Sequence, residues 1–334
     1  MLEIPLHCGK INNIINYDNL QEASFLQYYF IYENSEGGMM KYYVAFDIGG
    51  TYVKHAILSE LGEILRKDSY TTPVAEYDLF MNKLVETVKD YQKANEVSGI
   101  AISLPGFINA KTGYSELAGA ITALNGKNLK ISLMDELKLP IAIENDANCV
   151  ALAEKFLGNA TECQDFICMT IGTGIGGGIF INGKILHGHR FRAGEFGMMH
   201  MKAVDDPYTN MHFTSSTLAL INFYKKYKNM TPEELIEGDA VFEEAKNDIG
   251  IKNVVDMWLK YLSYSIFNLV CTLDPEKILI GGGVSNKDGL IRMIEEKINE
   301  IPGWKDFKIP IECCYFRNDA GLVGALYHFL QEQN

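Results

Sequence analysis

The sequence has few of the features that mark secreted, membrane-bound or metal-knuckle proteins. Its seven cysteines are odd in number and include no C-x-x-C pair, so neither a disulfide framework nor a zinc knuckle is indicated. No run of about 18 apolar residues predicts a membrane span. A basic segment followed by an apolar one, as in a signal peptide, is also missing from the start of the sequence. We therefore expect a cytoplasmic protein without a membrane partner.

Positive charge is also scarce. The chain has 30 Lys and Arg against 43 Asp and Glu, a net charge of -13, whereas binding to nucleic acid depends on clustered basic residues. A small-molecule partner is the better expectation. Hydrophobic residues make up 47% and charged residues 22%, as in ordinary globular proteins. A length of 334 residues favours two lobes with a cleft between them.

Residues 1–38 differ from the rest of the sequence because they show no clear period and end at a flexible Gly37-Gly38 junction. Two interpretations stay open. The segment is either an untranslated leader read as protein, ahead of a biological start at Met39 or Met40, or a real N-terminal extension with a marginal helix in its aromatic middle. We predict a non-native or disordered leader over 1–38 that catalysis does not require.

One strand-and-glycine pattern occurs twice. Residues 43–48 form a buried strand that runs into a glycine turn and a second strand at 53–58, and residues 166–171 open a similar unit. This repeat predicts an internal duplication, with one hairpin-rich mixed sheet in each lobe. Further strands are predicted at 99–104, 140–144 and 277–280, and helices at 77–95, 145–156, 216–227, 231–247, 252–273 and 321–331. We place one lobe at 39–153 plus 319–334 and the other at 154–318.

The glycine-rich turns indicate phosphate binding of an unusual type. Residues 172–177 fit G-x-G-x-x-G, but the dinucleotide fingerprint needs a following helix, and a strand is predicted here instead. No Gly-Lys-Ser or Gly-Lys-Thr loop supports a Walker motif. What is left is two glycine turns between antiparallel strands, with a third glycine run at 281–283. A single such turn is usually only turn chemistry, whereas the set favours backbone N–H groups that approach phosphate oxygens.

Five motifs in order carry a family resemblance. They are DIGGT at 47–51, SLPG at 103–106, ENDAN at 144–148, TIGTGIGG at 170–177 and AGEFG at 193–197. Together they resemble the ROK family of sugar kinases and repressors, over nearly the whole chain from residue 41 onward. The resemblance implies an α/β, two-lobed, actin-like fold of the hexokinase and Hsp70 type. It also implies transfer of the γ-phosphoryl group of Mg-ATP to a hexose hydroxyl, usually the 6-hydroxyl.

The resemblance assigns roles to particular residues. It implies that Asp146 is the catalytic base and that Asp47 lies near the magnesium ion. The implied sugar-binding residues are Gly106, Gly119, Asn145, Glu195 and His212. The implied nucleotide-binding residues are Asp47, Gly49, Gly50, Thr51, Lys54, Gly172, Thr173, Gly174, Gly281, Gly282 and Gly283. From the residues alone, Asp146 is equally a helix N-cap and Glu195 equally a solvated loop carboxylate.

The sequence departs from the family pattern at the zinc motif. Members commonly have a His where this chain has Met198, followed by a cysteine-rich segment, but residues 202–220 contain no cysteine. We therefore expect no zinc. His200 and His212 without thiolate or carboxylate partners are more typical of polar surface or sugar contacts than of a metal site. His212 falls near the last ligand position of the motif, so the identity of the sugar is uncertain.

Two further functional hypotheses stay open beside the kinase. The family also contains sugar-responsive repressors, but these carry about 80 residues of winged helix before the first phosphate loop, and only 46 residues precede Asp47 here. A non-catalytic sugar sensor would require a damaged catalytic set, and Asp47, Asn145 and Asp146 are all present. Within the kinase hypothesis, glucose, an N-acetylhexosamine and a β-glucoside are all candidate acceptors. A homodimer is a possible assembly.

Overall fold

The computed structural model describes residues 39–202 and 208–333. The predicted leader at 1–38 lies outside the described residues. In the part of the chain that is described, no helix has both the length and the apolar character that crossing a bilayer requires.

The first part of the described chain builds a five-stranded sheet with a small sheet beside it. Its elements are β1 (Tyr42–Ile48), β2 (Tyr52–Ser59), β3 (Ile64–Thr71), α1 (Tyr77–Gln92), β4 (Val97–Leu104), β5 (Phe107–Asn109), β6 (Tyr114–Leu117), β7 (Lys127–Asn128), α2 (Leu129–Leu137), β8 (Ile141–Asn145) and α3 (Asp146–Leu157). The large sheet has the order β3-β2-β1-β4-β8, and β5, β6 and β7 form the small one. β1 is antiparallel to β2 and parallel to β4.

The second part repeats this plan. Its elements are β9 (Phe166–Ile171), β10 (Ile175–Ile181), β11 (Lys184–Ile185), α4 (Met211–Thr214), α5 (Thr217–Lys228), α6 (Gly238–Ala245), α7 (Ile249–Leu273), β12 (Lys277–Gly281), α8 (Leu290–Ile298), α9 (Trp304–Phe307), β13 (Ile311–Cys313) and α10 (Ala320–Gln333). The sheet order is β11-β10-β9-β12-β13. β9 is antiparallel to β10 and parallel to β12. Each central strand thus has the same neighbours in the same directions, which confirms the predicted duplication.

Helices cover both faces of the first sheet. Along β1, Val44 and Phe46 pack in the cluster that includes residues of α1, whereas Tyr43 and Ala45 pack with α10, as the two-residue period of a strand requires. α10 lies very close to the sheet, because a Cβ on Gly99 of β4 would come within 2.3 Å of the Phe329 ring. α10 therefore packs on the sheet formed by residues far earlier in the chain. The domain limits at 153/154 and 318/319 stay a prediction.

The helix predicted over 231–247 is shorter than expected. The structure forms a helix only at Gly238–Ala245, and the preceding segment contains turns and extended backbone. The reason is a missing buried face: Leu235 is 97% exposed, and short helices in water need an apolar face packed on something else. The prediction also missed the sheet of β5, β6 and β7 and the helix α2.

Candidate active site

The β1–β2 turn forms the first glycine loop. The Gly49 N–H donates to the Tyr52 carbonyl oxygen at 2.9 Å, and the Thr72 hydroxyl donates to the Gly49 carbonyl at 2.6 Å. Gly50 and Thr51 lie exposed at the tip of the turn. Hydrogen bonds within the hairpin and from Thr72 therefore fix the base of the turn, while its tip stays accessible to solvent.

Asp47 lies at the end of β1, directly before this turn. Its carboxylate accepts hydrogen bonds from Lys54 Nζ at 3.2 Å and from Ser103 Oγ at 2.9 Å. Lys54 also donates to the Asn318 carbonyl at 3.0 Å. A Cβ on Gly321, in the first turn of α10, would lie 2.3 Å from Asp47 Oδ1. The carboxylate is therefore held by neighbouring strands and by a helix that approaches it as closely as a glycine permits.

The second glycine loop follows β9, and the third glycine run follows β12. The Gly172 N–H donates to the Gly174 carbonyl at 2.9 Å. A Cβ on Gly172 or Gly283 would have no protein atom within 4 Å, so both backbones face open space. Gly282 has a φ of +82°, and a Cβ there would lie 2.4 Å from the Ile171 carbonyl oxygen. The two glycine segments therefore meet closely and leave room beside them for a ligand.

Asn145 and Asp146 occupy the junction between β8 and α3. Asn145 Oδ1 accepts from the Ala147 and Asn148 N–H groups, and its Nδ2 donates to the Gly106 carbonyl at 3.0 Å. Asn145 is thus the N-cap of α3 and also anchors the loop after β4. Burial raises the pKa of Asp146 to about 6, and the charge of Asp47 acts in the same direction. A carboxylate of this kind is ionised at neutral pH and basic enough to accept a proton.

A cavity of about 350 Å³ opens next to Asp146. Its lining includes Gly106, Phe107, Asn145, Asp146, Gly172, Gly174, Phe191 and Glu195. Glu195 projects from a tight loop, because a Cβ on Gly194 would lie 2.1 Å from the Gly177 carbonyl oxygen of β10. Burial raises the pKa of Glu195, with Asp146 as a second cause. We call this space the acceptor cavity; its volume suits a small ligand.

Two further cavities adjoin the acceptor cavity. One, of about 230 Å³, is lined by Asp47, Lys54, Asp146 and the glycine pair Gly282 and Gly283; we call it the phosphate cavity. The other, of about 390 Å³, is lined by Gly172, Thr173, Gly283 and apolar residues of α5 and α6; we call it the nucleoside cavity. Asp146 belongs to the first two and Gly283 to the last two. The three cavities therefore form a connected series with Asp146 at one junction.

The structure brings most of the predicted site residues together. The cavities include Asp47, Lys54, Gly106, Asn145, Asp146, Gly172, Thr173, Gly174, Glu195, Gly282 and Gly283 among their lining residues. Gly49, Gly50, Thr51, Gly119, His212 and Gly281 do not line any of the three. His212 lies behind the second glycine loop: its Nδ1 accepts from the Ile175 N–H at 3.1 Å, and its ring fills the space beside Gly174 and Gly197. Its predicted contact with the sugar stays a prediction.

A buried ion pair behind the acceptor cavity was not predicted. Glu144 is fully buried; its Oε2 lies 2.5 Å from His187 Nε2, and its Oε1 accepts from Asn148 Nδ2 at 3.0 Å. Burial raises the pKa of Glu144, but the bond from His187 and the nearby His328 outweigh burial and hold that pKa below its usual range. Burial also lowers the pKa of His187, and Glu144 outweighs it and raises that pKa. The pair fixes the residue that precedes Asn145.

Three other residues of the site were not predicted from the sequence. Phe107 and Phe191 line the acceptor cavity, and Arg317 lines the phosphate cavity. Among residues 39–202 and 208–333, no group of three or more His, Cys, Asp and Glu side chains could by itself hold a metal ion. The phosphate cavity does present the carboxylates of Asp47 and Asp146. Hard oxygen ligands of this kind, together with substrate phosphates, are what Mg²⁺ prefers.

Comparison with known proteins gives a consistent result. The sequence profile of the ROK family matches residues 43–332. A β-glucoside kinase of Listeria monocytogenes is 38% identical over 87% of this chain and 98% of its own length. A ROK family protein of Streptococcus pneumoniae, solved in complex with sucrose, has a TM-score of 0.78 and 29% identity over 88% of this chain and 99% of its own.

A third similar protein has been solved with a sugar and a nucleotide bound together. The ROK family glucokinase of Streptomyces griseus, in complex with glucose and AMPPNP, has a TM-score of 0.71 and 26% identity over 85% of this chain and 98% of its own. These likenesses confirm the predicted two-lobed, actin-like α/β fold.

Proposed function

The chain belongs to the ROK family and is an ATP-dependent sugar kinase, and we propose that its acceptor is a β-glucoside phosphorylated at the 6-hydroxyl. The transferred group is the γ-phosphoryl of ATP. We assign the general base to Asp146, the acceptor site to the acceptor cavity, and the ATP site to the phosphate and nucleoside cavities. Each assignment is part of the same proposal and is supported by the geometry described above.

The observation that carries the proposal is the position of Asp146. It is a half-buried carboxylate that lines both the acceptor cavity and the phosphate cavity. A base that serves phosphoryl transfer must reach the attacking hydroxyl on one side and leave the phosphate accessible on the other. Asp146 meets both demands, and its pKa of about 6 leaves it ionised in most molecules at neutral pH.

The other residues of the site position the substrates and neutralise the charge of the phosphates, and they take no part in making or breaking bonds. Phosphoryl transfer passes through a loose transition state, so catalysis depends mainly on alignment and on donors aimed at the phosphate oxygens. The open backbone of Gly283 offers such an N–H group without a side chain in the way, and Gly172 leaves open space beside it for the phosphates. Lys54 supplies a positive charge in the phosphate cavity. Asp146 takes the proton of the sugar hydroxyl as that oxygen bonds to the γ-phosphorus.

We also propose that the reaction requires Mg²⁺. Asp47, at the edge of the phosphate cavity, would hold the ion together with oxygens of ATP. When bound, the ion neutralises negative charge on the phosphates. The contribution of the chain is to keep the Asp47 carboxylate in place through Ser103 and Lys54.

A β-glucoside is favoured over free glucose by two observations. The β-glucoside kinase of L. monocytogenes is 38% identical, whereas the glucokinase of S. griseus is 26% identical. The S. pneumoniae protein solved with sucrose, a disaccharide whose glucosyl ring is α-linked, has 29% identity and a TM-score of 0.78, and it supports room for a second ring rather than the β linkage. The family also contains regulators, but the catalytic carboxylates and the open phosphate cavity support a kinase instead.

The test is a coupled ADP-release screen over hexoses, amino sugars and β-linked glucosyl disaccharides at fixed Mg-ATP. We expect the largest kcat/KM for a β-glucoside, with the phosphate on the 6-hydroxyl by NMR. Turnover confined to N-acetylmannosamine or to free glucose would contradict the acceptor, and no turnover of any sugar would contradict the kinase.

The location and the assembly of the protein are further parts of the proposal. We propose a cytoplasmic enzyme, since ATP and imported sugars meet there, and a homodimer. Light scattering of the purified protein after gel filtration tests the second point, and a monomer at micromolar concentration would contradict it.

A further inference from the structure

Four side chains form a distinct group at one end of the acceptor cavity. We call Phe107, Glu116, Phe191 and Arg192 the rim cluster. Phe107 and Phe191 line the cavity, Arg192 contacts Phe107, and Glu116 binds Arg192. Phe107 and Glu116 belong to the small sheet, whereas Phe191 and Arg192 belong to the loop that leads to Glu195. The mechanism above uses none of these four residues.

Arg192 links the two sides of the rim cluster, and one of its N–H groups has no hydrogen-bond partner. Its guanidinium carbon lies 4.4 Å from the centre of the Phe107 ring, and its Nη2 donates to Glu116 Oε1 at 2.7 Å. Its Nε is buried and has no hydrogen-bond partner among the residues that the structure describes. A buried N–H without a partner is costly, and each such group in a native fold calls for an explanation.

Phe191 is held in a conformation that a phenylalanine seldom adopts. Its φ is 55°, in the left-handed region, where a bulky non-glycine residue is an outlier. Backbone strain of this kind is concentrated at ligand-binding and active sites, because the surrounding structure must impose it. Here the side chain lines the acceptor cavity, and its ring centre lies 5.5 Å from that of His187. The strained backbone thus places an aromatic ring at the wall of the acceptor cavity.

The rim cluster lies away from the site of phosphoryl transfer. Asp146 lines both the acceptor and the phosphate cavity, whereas Phe107 and Phe191 line the acceptor cavity alone. In a β-glucoside the exocyclic C6 on C5 and the equatorial substituent on C1 leave the pyranose ring in different directions, on either side of the ring oxygen. With the 6-hydroxyl at Asp146, the anomeric substituent can therefore extend into the part of the acceptor cavity that Phe107 and Phe191 line.

We propose that the rim cluster is a binding subsite for the second ring of a β-linked glucosyl disaccharide, and this inference rests on the proposed function. The Phe191 ring packs against the C–H face of that second ring, which is the apolar surface a pyranose offers to an aromatic side chain. Arg192 acts through Phe107, whose ring it contacts, and through Glu116, which ties the loop of Phe191 to the small sheet. Free glucose has no group that reaches the rim cluster.

The experiment compares cellobiose with glucose as acceptors at saturating Mg-ATP, in the wild type and in two variants. Phe191→Gly removes the ring and suits the left-handed backbone, so folding is retained. Arg192→Lys keeps the positive charge and removes the planar guanidinium that lies on Phe107 and binds Glu116. Loss of an aromatic contact corresponds to a fall of about tenfold in the ratio of kcat/KM for cellobiose to that for glucose. For Arg192→Lys we expect a fall of about fivefold in this ratio, because the Phe107 ring loses its contact with the guanidinium.

A matched control is Phe307→Ala, because Phe307 is an exposed phenylalanine on α9 that lines none of the three cavities; its ratio should equal that of the wild type. A ratio that stays within about twofold of wild type in both rim variants, with both sugars still phosphorylated, overturns the subsite and leaves the kinase intact. A wild-type enzyme that phosphorylates glucose and not cellobiose overturns the β-glucoside acceptor and the subsite together. No turnover of either sugar counts against the proposed function itself.

Discussion

The most direct prediction concerns the pH dependence of the reaction. A base with a pKa of about 6 is ionised in roughly nine-tenths of molecules at pH 7 and in roughly one-tenth at pH 5. Since the ionised form of Asp146 accepts the proton, activity should be fully present above the pKa and should be lost as the pH falls through it. We therefore expect kcat/KM for the sugar to fall about tenfold between pH 7 and pH 5, with a midpoint near 6.

The assay is kcat/KM for the sugar at saturating Mg-ATP from pH 4.5 to 8.5, since this parameter reports ionisations of the enzyme before the sugar binds. The phosphates of ATP also titrate near pH 6, so a control variant is needed. Asp146→Asn should lower kcat by about 10² to 10⁴, the usual cost of losing a general base. Its residual activity should no longer show the midpoint near 6. A fall in activity at low pH that arises from titration of ATP or of a histidine would persist in this variant.

Two results would refute the assignment. One is a midpoint near 4, which is the ordinary value for a carboxyl group and would mean that burial does not act on the base as the structure indicates. The other is an Asp146→Asn variant that keeps the same midpoint or more than half of the wild-type kcat. Equilibrium sugar binding should barely change in this variant, because the asparagine retains a polar side chain of the same size.

Three further predictions concern the glycine contacts and the metal. Gly321→Ala should lower kcat at least about tenfold with little change in Tm, because its Cβ would lie 2.3 Å from Asp47 Oδ1 and must displace that carboxylate; an unchanged kcat would contradict the close approach. Gly172→Ala should keep the wild-type Tm, since no protein atom lies within 4 Å of the added carbon, but should raise KM for ATP several-fold because that carbon takes space that the phosphates use; a lower Tm with normal KM would argue against a phosphate beside Gly172. Elemental analysis should find substoichiometric zinc, and activity should survive chelation once magnesium is restored; one tightly held zinc per chain would refute the expectation drawn from the missing cysteines.

The regular parts of the fold were predictable from the sequence because they leave periodic patterns. The buried strands that end in glycine turns, at 43–51 and 166–174, indicated the duplicated sheets, and the structure confirms them. The grouping of Asp146 with the glycine loops also followed from motifs. These features are local: a strand, a turn and the residue at its end are adjacent in the sequence.

The rest of the site depends on contacts between distant segments, which no local pattern records. Arg192 meets Phe107 across 85 positions of sequence, and Glu144 of β8 meets His187 across 43. The bond that His212 accepts from the Ile175 N–H was likewise not predictable from the sequence, and its predicted contact with the sugar stays a prediction. The helix predicted at 231–247 forms only at Gly238–Ala245, because Leu235 is exposed and packs on no apolar surface. Tertiary packing decided each of these cases.

The packing of α10 on the first sheet has a consequence for the synthesis of the protein. β8 ends at Asn145 and α10 begins at Ala320, so at roughly 5–20 residues per second the ribosome needs on the order of tens of seconds to supply the covering helix. During that interval the sheet face that carries Tyr43 and Ala45 has α3 but not α10 to pack against it. The growing polypeptide therefore leaves part of this apolar face uncovered, and the Asp47 site is completed only after Gly321 has left the ribosomal tunnel.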